Sequence, residues 1–329
     1  MRQKGRTGNL AHMSVANSRD FLAARPWTAS YDSGVPRDLD LPETSLVHML
    51  EKSVARHGAK TAVEFFGAGM TYAQLGEQVQ RAAEGLRIMG VQAGDRVALV
   101  LPNCPQHIVA FYAVLRLGAI VVEHNPLYTA PELRHQFEDH GARVVIAWDK
   151  IATSITRMPK DLAVEHVVAV DITESMSTLM RLGLRLPLKK LAEQRRELTQ
   201  PAPGAIPWRT LASHEPLRAD HPRPVAQDIA LLQYTSGTTG TPKGAMLSHR
   251  NLESNALMGQ HWLESSSDEV VYGVLPLFHA FGLTLGLTFA MSLGAKLVLF
   301  PTVRGDLILR AMRKSMPTVC LLYTSDAAD

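Results

Sequence analysis

The stretch Tyr234-Thr-Ser-Gly-Thr-Thr-Gly-Thr-Pro-Lys-Gly244 decides how the rest of the chain is read. Glycines at 237, 240 and 244 let the backbone bend where a side chain would collide, so amides can be aimed into a concavity that suits anionic oxygens. The hydroxyls of Thr235, Ser236, Thr238 and Thr239 add donors, and Lys243 adds a compact positive charge. On one flank, Ile229-Ala-Leu-Leu-Gln-Tyr234 reads as a buried strand. On the other, Gly244-Ala-Met-Leu247 reads as a short second strand, and Ser248 as the cap of a helix running towards Leu263. The spacing therefore predicts a strand-loop-strand phosphate cradle with no helix terminus behind it. It is not the loop in which Gly-Lys-Ser/Thr opens a helix, because this lysine lies between Pro242 and Gly244.

Upstream, helical and strand patterns alternate as a layered α/β domain requires. Leu46, Met49, Leu50 and Val54 form one apolar helical face, and a hairpin follows around Phe66-Gly-Ala-Gly69. Thr71 and Gln74 make a capping box for a helix reaching Met89. A strand at 97–101, a helix at 105–117 and a strand at 120–122 come next. Thr129 and Glu132, with Pro131, open a further helix that Gly141 ends. Strands at 144–147 and 167–170 complete a pattern in which helices cover both faces of a mostly parallel sheet. Downstream, the apolar stretch from Val270 to Phe300 is interrupted by Pro276, His279, Gly282, Gly286 and Gly294, so it reads as strands and a buried helix, not a membrane span.

Between Asp171 and Asp228 the pattern changes to a basic, Leu/Met-rich helix followed by a Pro-rich connector. Met180, Leu182, Leu184, Leu186 and Leu188, among Arg181, Arg185, Lys189 and Lys190, have two readings. One is a membrane-surface helix. The other, favoured because Pro187 breaks the amphipathic period, is an excursion packed on the domain with its charges in water.

With the loop and its flanks in view, YTSGTTGTPKG followed by AMLSHRNL resembles the signature of the AMP-forming acyl-CoA synthetase superfamily, the adenylate-forming ligases. Leu275-Pro-Leu-Phe-His-Ala-Phe-Gly282 is similar to its proline-histidine-glycine segment, and Asn125-Pro-Leu-Tyr-Thr129 after Gly118-Ala-Ile-Val-Val122 to its long-chain fatty acid branch. The resemblance runs from residue 45 to residue 319. It implies the layered α/β N-terminal domain of those ligases, with mixed, mostly parallel sheets flanked by helices and without the C-terminal domain. It also implies activation of a long-chain fatty acid with ATP to acyl-AMP and pyrophosphate, followed by transfer to coenzyme A, with Mg2+ sharing the phosphate charge. Carried onto this chain, Thr235, Ser236, Gly237, Thr238, Thr239, Gly240 and Lys243 contact phosphates. Lys243 and His279 serve catalysis, and Phe278, His279, Phe281 and Gly282 line the acyl pocket. Two competing roles remain open: Lys243 as a tie that closes the loop, and His279 as a core histidine. So do other functions, as an aryl-CoA ligase, a fatty-acyl-AMP ligase or a non-catalytic nucleotide-binding fragment.

Composition narrows the classes. The 329 residues carry a formal charge of only +3, and basic residues are not interleaved with aromatics, which argues against nucleic acid as a partner. Cys104 and Cys320 have no paired spacing, so neither a disulfide framework nor a zinc site is expected, and a reducing cytoplasm fits. Contact with the inner membrane face and a homodimer stay open. His135 and His140 have no carboxylate at ligand spacing and read as surface residues, leaving no metal site. The expected organisation is an extension over 1–40, an adenylation domain over 41–319 and a tail over 320–329. That tail, Cys320-Leu-Leu-Tyr-Thr-Ser-Asp-Ala-Ala-Asp329, departs from the resemblance and reads as non-native.

Overall fold

The computed structural model describes residues 15–235 and 242–320, with side chains from residue 20 onward. Two compact units partition the chain, Met1–Asp40 and Leu41–Asp329. The first holds the helix Val15–Ala24 and a single 3-10 turn, Pro26–Ser30.

The described residues of the second unit contain twelve strands: β1 (Thr61–Phe65), β2 (Ala68–Thr71), β3 (Arg96–Val100), β4 (Ile120–Glu123), β5 (Val144–Trp148), β6 (His166–Val170), β7 (Ile206–Pro207), β8 (Ile229–Thr235), β9 (Lys243–Ser248), β10 (Val270–Gly273), β11 (Lys296–Leu299) and β12 (Val319–Cys320). They form two sheets, as the family resemblance implies, where the strand pattern alone suggested one. The seven-stranded sheet has the order β7-β6-β5-β3-β4-β8-β9, and the five-stranded sheet β12-β10-β11-β1-β2. Only β9 against β8 and β2 against β1 run antiparallel. The split follows from β1, which, besides its hairpin partner β2, pairs in parallel with β11, more than 230 positions on, and not with β3.

Between the sheets lies the helix Pro105–Arg116, every residue of which is buried. It touches β1 on one side and β3 and β4 on the other. A helix with no wet face must be apolar almost all round, and Ile108, Val109, Ala110, Phe111, Ala113, Val114 and Leu115 supply that surface. Its polar members are paired. His107 Nε2 lies 2.9 Å from Glu123 Oε1 and its Nδ1 faces the Pro102 carbonyl. The Arg116 guanidinium donates to the carbonyls of His221 and Pro222, pinning the proline-rich connector to the core.

Local sequence signals set the element ends. The Thr71–Gln74 box caps the helix Tyr72–Ile88, and the Thr129–Glu132 box caps Ala130–His140, which Gly141 terminates in the left-handed region. Between β1 and β2 the two-residue turn places Phe66 at φ 48° and Gly67 at φ 78°, the pairing a tight hairpin demands. Pro187 breaks the Leu/Met-rich segment into two helices, Thr178–Gly183 and Lys189–Leu198. Of its apolar residues, Leu184 is buried, whereas Met180, Leu182, Leu186 and Leu188 face solvent.

Because His107 and Glu123 are both wholly buried, removing one partner strands the other in a dry interior. Glu123→Ala is expected to cost about 3–5 kcal/mol in urea unfolding, with Glu123→Gln losing less. A cost below about 1 kcal/mol for the alanine would show that the pair does not hold this helix in place.

Candidate functional site

β3, β4 and β8 are parallel neighbours, so their carboxyl ends lie along one edge of the sheet, the place where open α/β sheets take ligands. The Gly/Ser/Thr loop leaves the end of β8. Its two arms pair as strands in the register Thr235 to Lys243, Tyr234 to Gly244 and Gln233 to Ala245, and Thr235 Oγ1 donates to the Lys243 carbonyl at 3.5 Å. Ser236, Gly237, Thr238, Thr239 and Gly240 fall outside the described residues. Lys243 is exposed and forms no ion pair among the described residues. Gly244 is not one of the bending glycines. It is a strand residue lying over the Tyr234 ring, where an added Cβ would meet ordinary contacts of 3.5–3.8 Å.

Two side-chain amides bring the second motif to this edge. The buried Gln233 donates from Nε2 to the Phe278 carbonyl at 3.0 Å. Asn103, just past β3, donates to the carbonyls of Gly273 and Leu275 at 2.9 and 2.8 Å and accepts from Leu277 N–H at 2.9 Å. The segment Leu275–Gly282 therefore hangs from β3 and β8 although it follows β10 of the other sheet. Within it Phe278 is buried, while His279 and Phe281 are exposed. The Phe278 and His279 rings lie 4.6 Å apart, and partial desolvation holds the His279 imidazole below the ordinary histidine range. Gly282 fits against the Pro276 carbonyl so closely that a Cβ would sit 2.1 Å from its oxygen. It opens a π-helical turn, Gly282–Thr288, a local over-winding often found near functional sites.

Behind Tyr234 lies a cluster that the sequence reading missed. The Tyr234 hydroxyl donates to Asp139, and its ring stacks on His124 with centroids 6.0 Å apart. His124 and His140 lie 5.1 Å apart, centroid to centroid. His140 is buried, not on the surface, because its helix turns that face inward against the His124 and Tyr234 rings; His135 is exposed as expected. His140 Nδ1 accepts from Ala142 N–H, which leaves the proton on Nε2, and His124 Nδ1 faces the Gln136 carbonyl oxygen, which leaves its Nε2 bare. Both Nε2 atoms lack a partner among the described residues. Burial pushes His124 down to about 4, and burial, with His124 and Arg96 nearby, pushes His140 down to about 2. The signal in the sequence was three polar residues, His124, Gln136 and His140, at positions that pack inward. Among the described residues no three His, Cys, Asp or Glu side chains gather to hold a metal.

Comparison with known proteins places this geometry. Residues 50–325 match the model of the AMP-binding enzymes. The chain is 33% identical over 297 residues to a long-chain-fatty-acid–CoA ligase of Bacillus subtilis, covering 90% of this chain and 53% of that protein. It is 36% identical over 288 residues to the ligase of the same name from Escherichia coli O6:H1, covering 84% and 50%. The chain thus spans about half the length of these curated relatives. Among solved structures, the anthranilate CoA ligase AuaEII in complex with anthranoyl-AMP superposes with a TM-score of 0.70 at 25% identity, over 85% of this chain and 50% of that one. A putative long-chain-fatty-acid CoA ligase from Rhodopseudomonas palustris reaches a TM-score of 0.72 at 24% identity, over 86% and 64%, a likeness of fold.

Two expectations follow. Gly282→Ala should disrupt the Leu275–Gly282 segment and lower the melting temperature by several degrees, as an overpacked buried site does; an unchanged melting curve would mean that the close contact yields freely. Acid should also loosen the base of the loop. The unfolded chain takes up protons on these histidines below about pH 6.5, whereas His124 in the fold resists until about 4. Stability should therefore be highest above pH 6.5 and fall by about 1.4 kcal/mol per pH unit for each such ring as pH drops towards 4. His124→Leu should flatten that slope in urea unfolding followed between pH 7 and pH 4.5, taken as about one ring's worth.

Proposed function

Because the chain belongs to the AMP-binding enzyme family, we propose that it is the nucleotide-gripping part of a ligase that joins a long-chain fatty acid to coenzyme A. The carboxylate attacks the α-phosphorus of ATP, pyrophosphate departs, and the acyl group of the resulting acyl-AMP passes to the coenzyme A thiol. One observation carries this reading: a Gly/Ser/Thr loop closed at its base by Thr235 and Lys243, at the carboxyl end of β8, in a chain more than 30% identical to long-chain ligases.

The residues of this chain have a definite task in that scheme. Attack of one anion on another is opposed by charge, and the departing pyrophosphate gathers more, so donors and a cation fixed at the β and γ oxygens lower the barrier. In this reading Thr235, Ser236, Gly237, Thr238, Thr239 and Gly240 supply the donors and Lys243 the cation. Anchoring of the arms through Gln233 and Tyr234 keeps those donors from having to reorganise. His279, with its proton affinity depressed, stands with Phe278, Phe281 and Gly282 at the mouth of the acyl pocket. Magnesium would neutralise phosphate charge when bound. No described cluster of carboxylates or imidazoles is built to hold it, and no step here depends on it.

The likeness to a ligase for an aromatic acid keeps an aryl substrate as the second reading. Pyrophosphate release with palmitate against benzoate, measured on the protein at the length of its relatives, separates the two. Preference for benzoate overturns the fatty acid assignment. The 329-residue chain by itself is expected to release none. In the longer protein, Lys243→Ala should slow adenylation by about 10²–10³-fold, the loss typical of one stabilising donor. The melting temperature should hold, since an exposed lysine with no ion pair among the described residues contributes little to folding. Parallel loss of both would make Lys243 a structural tie.

A further inference from the structure

The segment between β6 and β7 leaves an apolar surface unspent. Its inner residues do the packing: Met176 and Leu184 are buried, and Leu191 and Leu198 line a groove of about 670 Å³ with Trp148 and Leu307. Its outer residues do not pack. Leu179 is 84% exposed, Leu182 54%, Leu186 53% and Leu188 57%. These four are held close together. Leu179 and Leu182 share a face of the helix Thr178–Gly183, and the chain then tightens through Leu184 N–H to Met180, Arg185 N–H to Leu182 and Leu186 N–H to Gly183 bonds of 3.0, 3.0 and 3.1 Å.

Around this apolar tip, over residues 177–192, the charge is positive. Arg181, Arg185, Lys189 and Lys190 are the charged residues of 177–192, a stretch with no Asp or Glu. None of the four forms an ion pair among the described residues; Glu174 stands at the inner end, and Glu193 follows within about one helical turn of Lys189 and Lys190. Leucines that stand free in water, ringed by unpaired cations with long apolar stems, match the two layers of an anionic bilayer: acyl boundary for the leucines, phosphate plane for the cations. A protein groove would be expected to offer carboxylates only in particular places; a sheet of lipid phosphates meets all four cations whatever their spacing.

We propose that residues 178–190 form a docking tip for the surface of an anionic phospholipid membrane, with Leu179, Leu182, Leu186 and Leu188 entering the interface and Arg181, Arg185, Lys189 and Lys190 meeting lipid phosphates. No helix of the described residues is long and apolar enough to cross a membrane, so the contact is peripheral.

The test is flotation of the full chain with vesicles of phosphatidylcholine alone or with about one quarter phosphatidylglycerol, at ~0.1 M and ~0.5 M salt. The wild-type chain should float with the anionic vesicles at low salt, and weakly with the neutral ones. The triple variant Leu179→Ser, Leu182→Ser, Leu186→Ser should lose binding by tenfold or more at an unchanged melting temperature. Arg185→Glu with Lys189→Glu should lose at least as much, since each cation at a charged surface contributes about fivefold. Failure of the wild-type chain to float, or full binding by either variant, overturns the proposal. So does a chain that ignores vesicles but dimerises in sedimentation velocity through these leucines, which would make the tip an interface with a second copy.

Discussion

The segment from Leu275 to Gly282 has no strand or helix to satisfy its backbone for most of its length, and buried carbonyls without partners are costly. Asn103 and Gln233 resolve this. One carboxamide takes up two carbonyls and an N–H, the other a third carbonyl, and the two stand at the ends of β3 and β8. A loop that belongs by chain order to the five-stranded sheet is thereby fixed to the seven-stranded one. The close fit of Gly282 on the Pro276 carbonyl depends on that fixing, and so does the placement of Phe278, next to His279, against β8.

Much of this was legible before any coordinates. Capping boxes at Thr71 and Thr129, the terminating Gly141 and the Phe66-Gly67 turn are short-range signals, and each marks an element end in the structure. The strand-loop-strand character of residues 229–248 follows from apolar runs on either side of a polar bend, and the pairing of β8 with β9 agrees. The assignment of strands to the two sheets was not legible from the local pattern, because β1 finds β11 across most of the chain and nothing local marks that choice. The inward turn of His140 escaped notice for a related reason. A histidine reads as a surface residue until the neighbouring strand is known to bring Tyr234 against it. Asn103 and Gln233 are ordinary polar residues in sequence, and their value lies in carbonyls contributed from about 45 and 170 positions away.

The cluster behind Tyr234 shows how a dry interior supports the base of the β8–β9 hairpin. His124 and His140 are held neutral by burial, and Tyr234, its hydroxyl tied to Asp139, lies over them as a lid. Burial likewise drives the Tyr234 phenol well above its usual range, with the neighbouring Asp139 acting in the same sense, so that group keeps its proton as a donor. Rigid support of this kind suits donors that act by being already in place.

The same hairpin carries a less comfortable consequence. β9 is the outermost strand of its sheet and pairs, among the described residues, with β8 alone. Its other side pairs with no strand among the described residues and runs beside Met246, a side chain left largely open to water. Such a margin is a template for any extended peptide, a neighbouring molecule of the same protein included. Concentrated stocks of the 329-residue polypeptide would thus tend to grow by edge-to-edge stitching, and solubility would hinge on the six residues of this one strand.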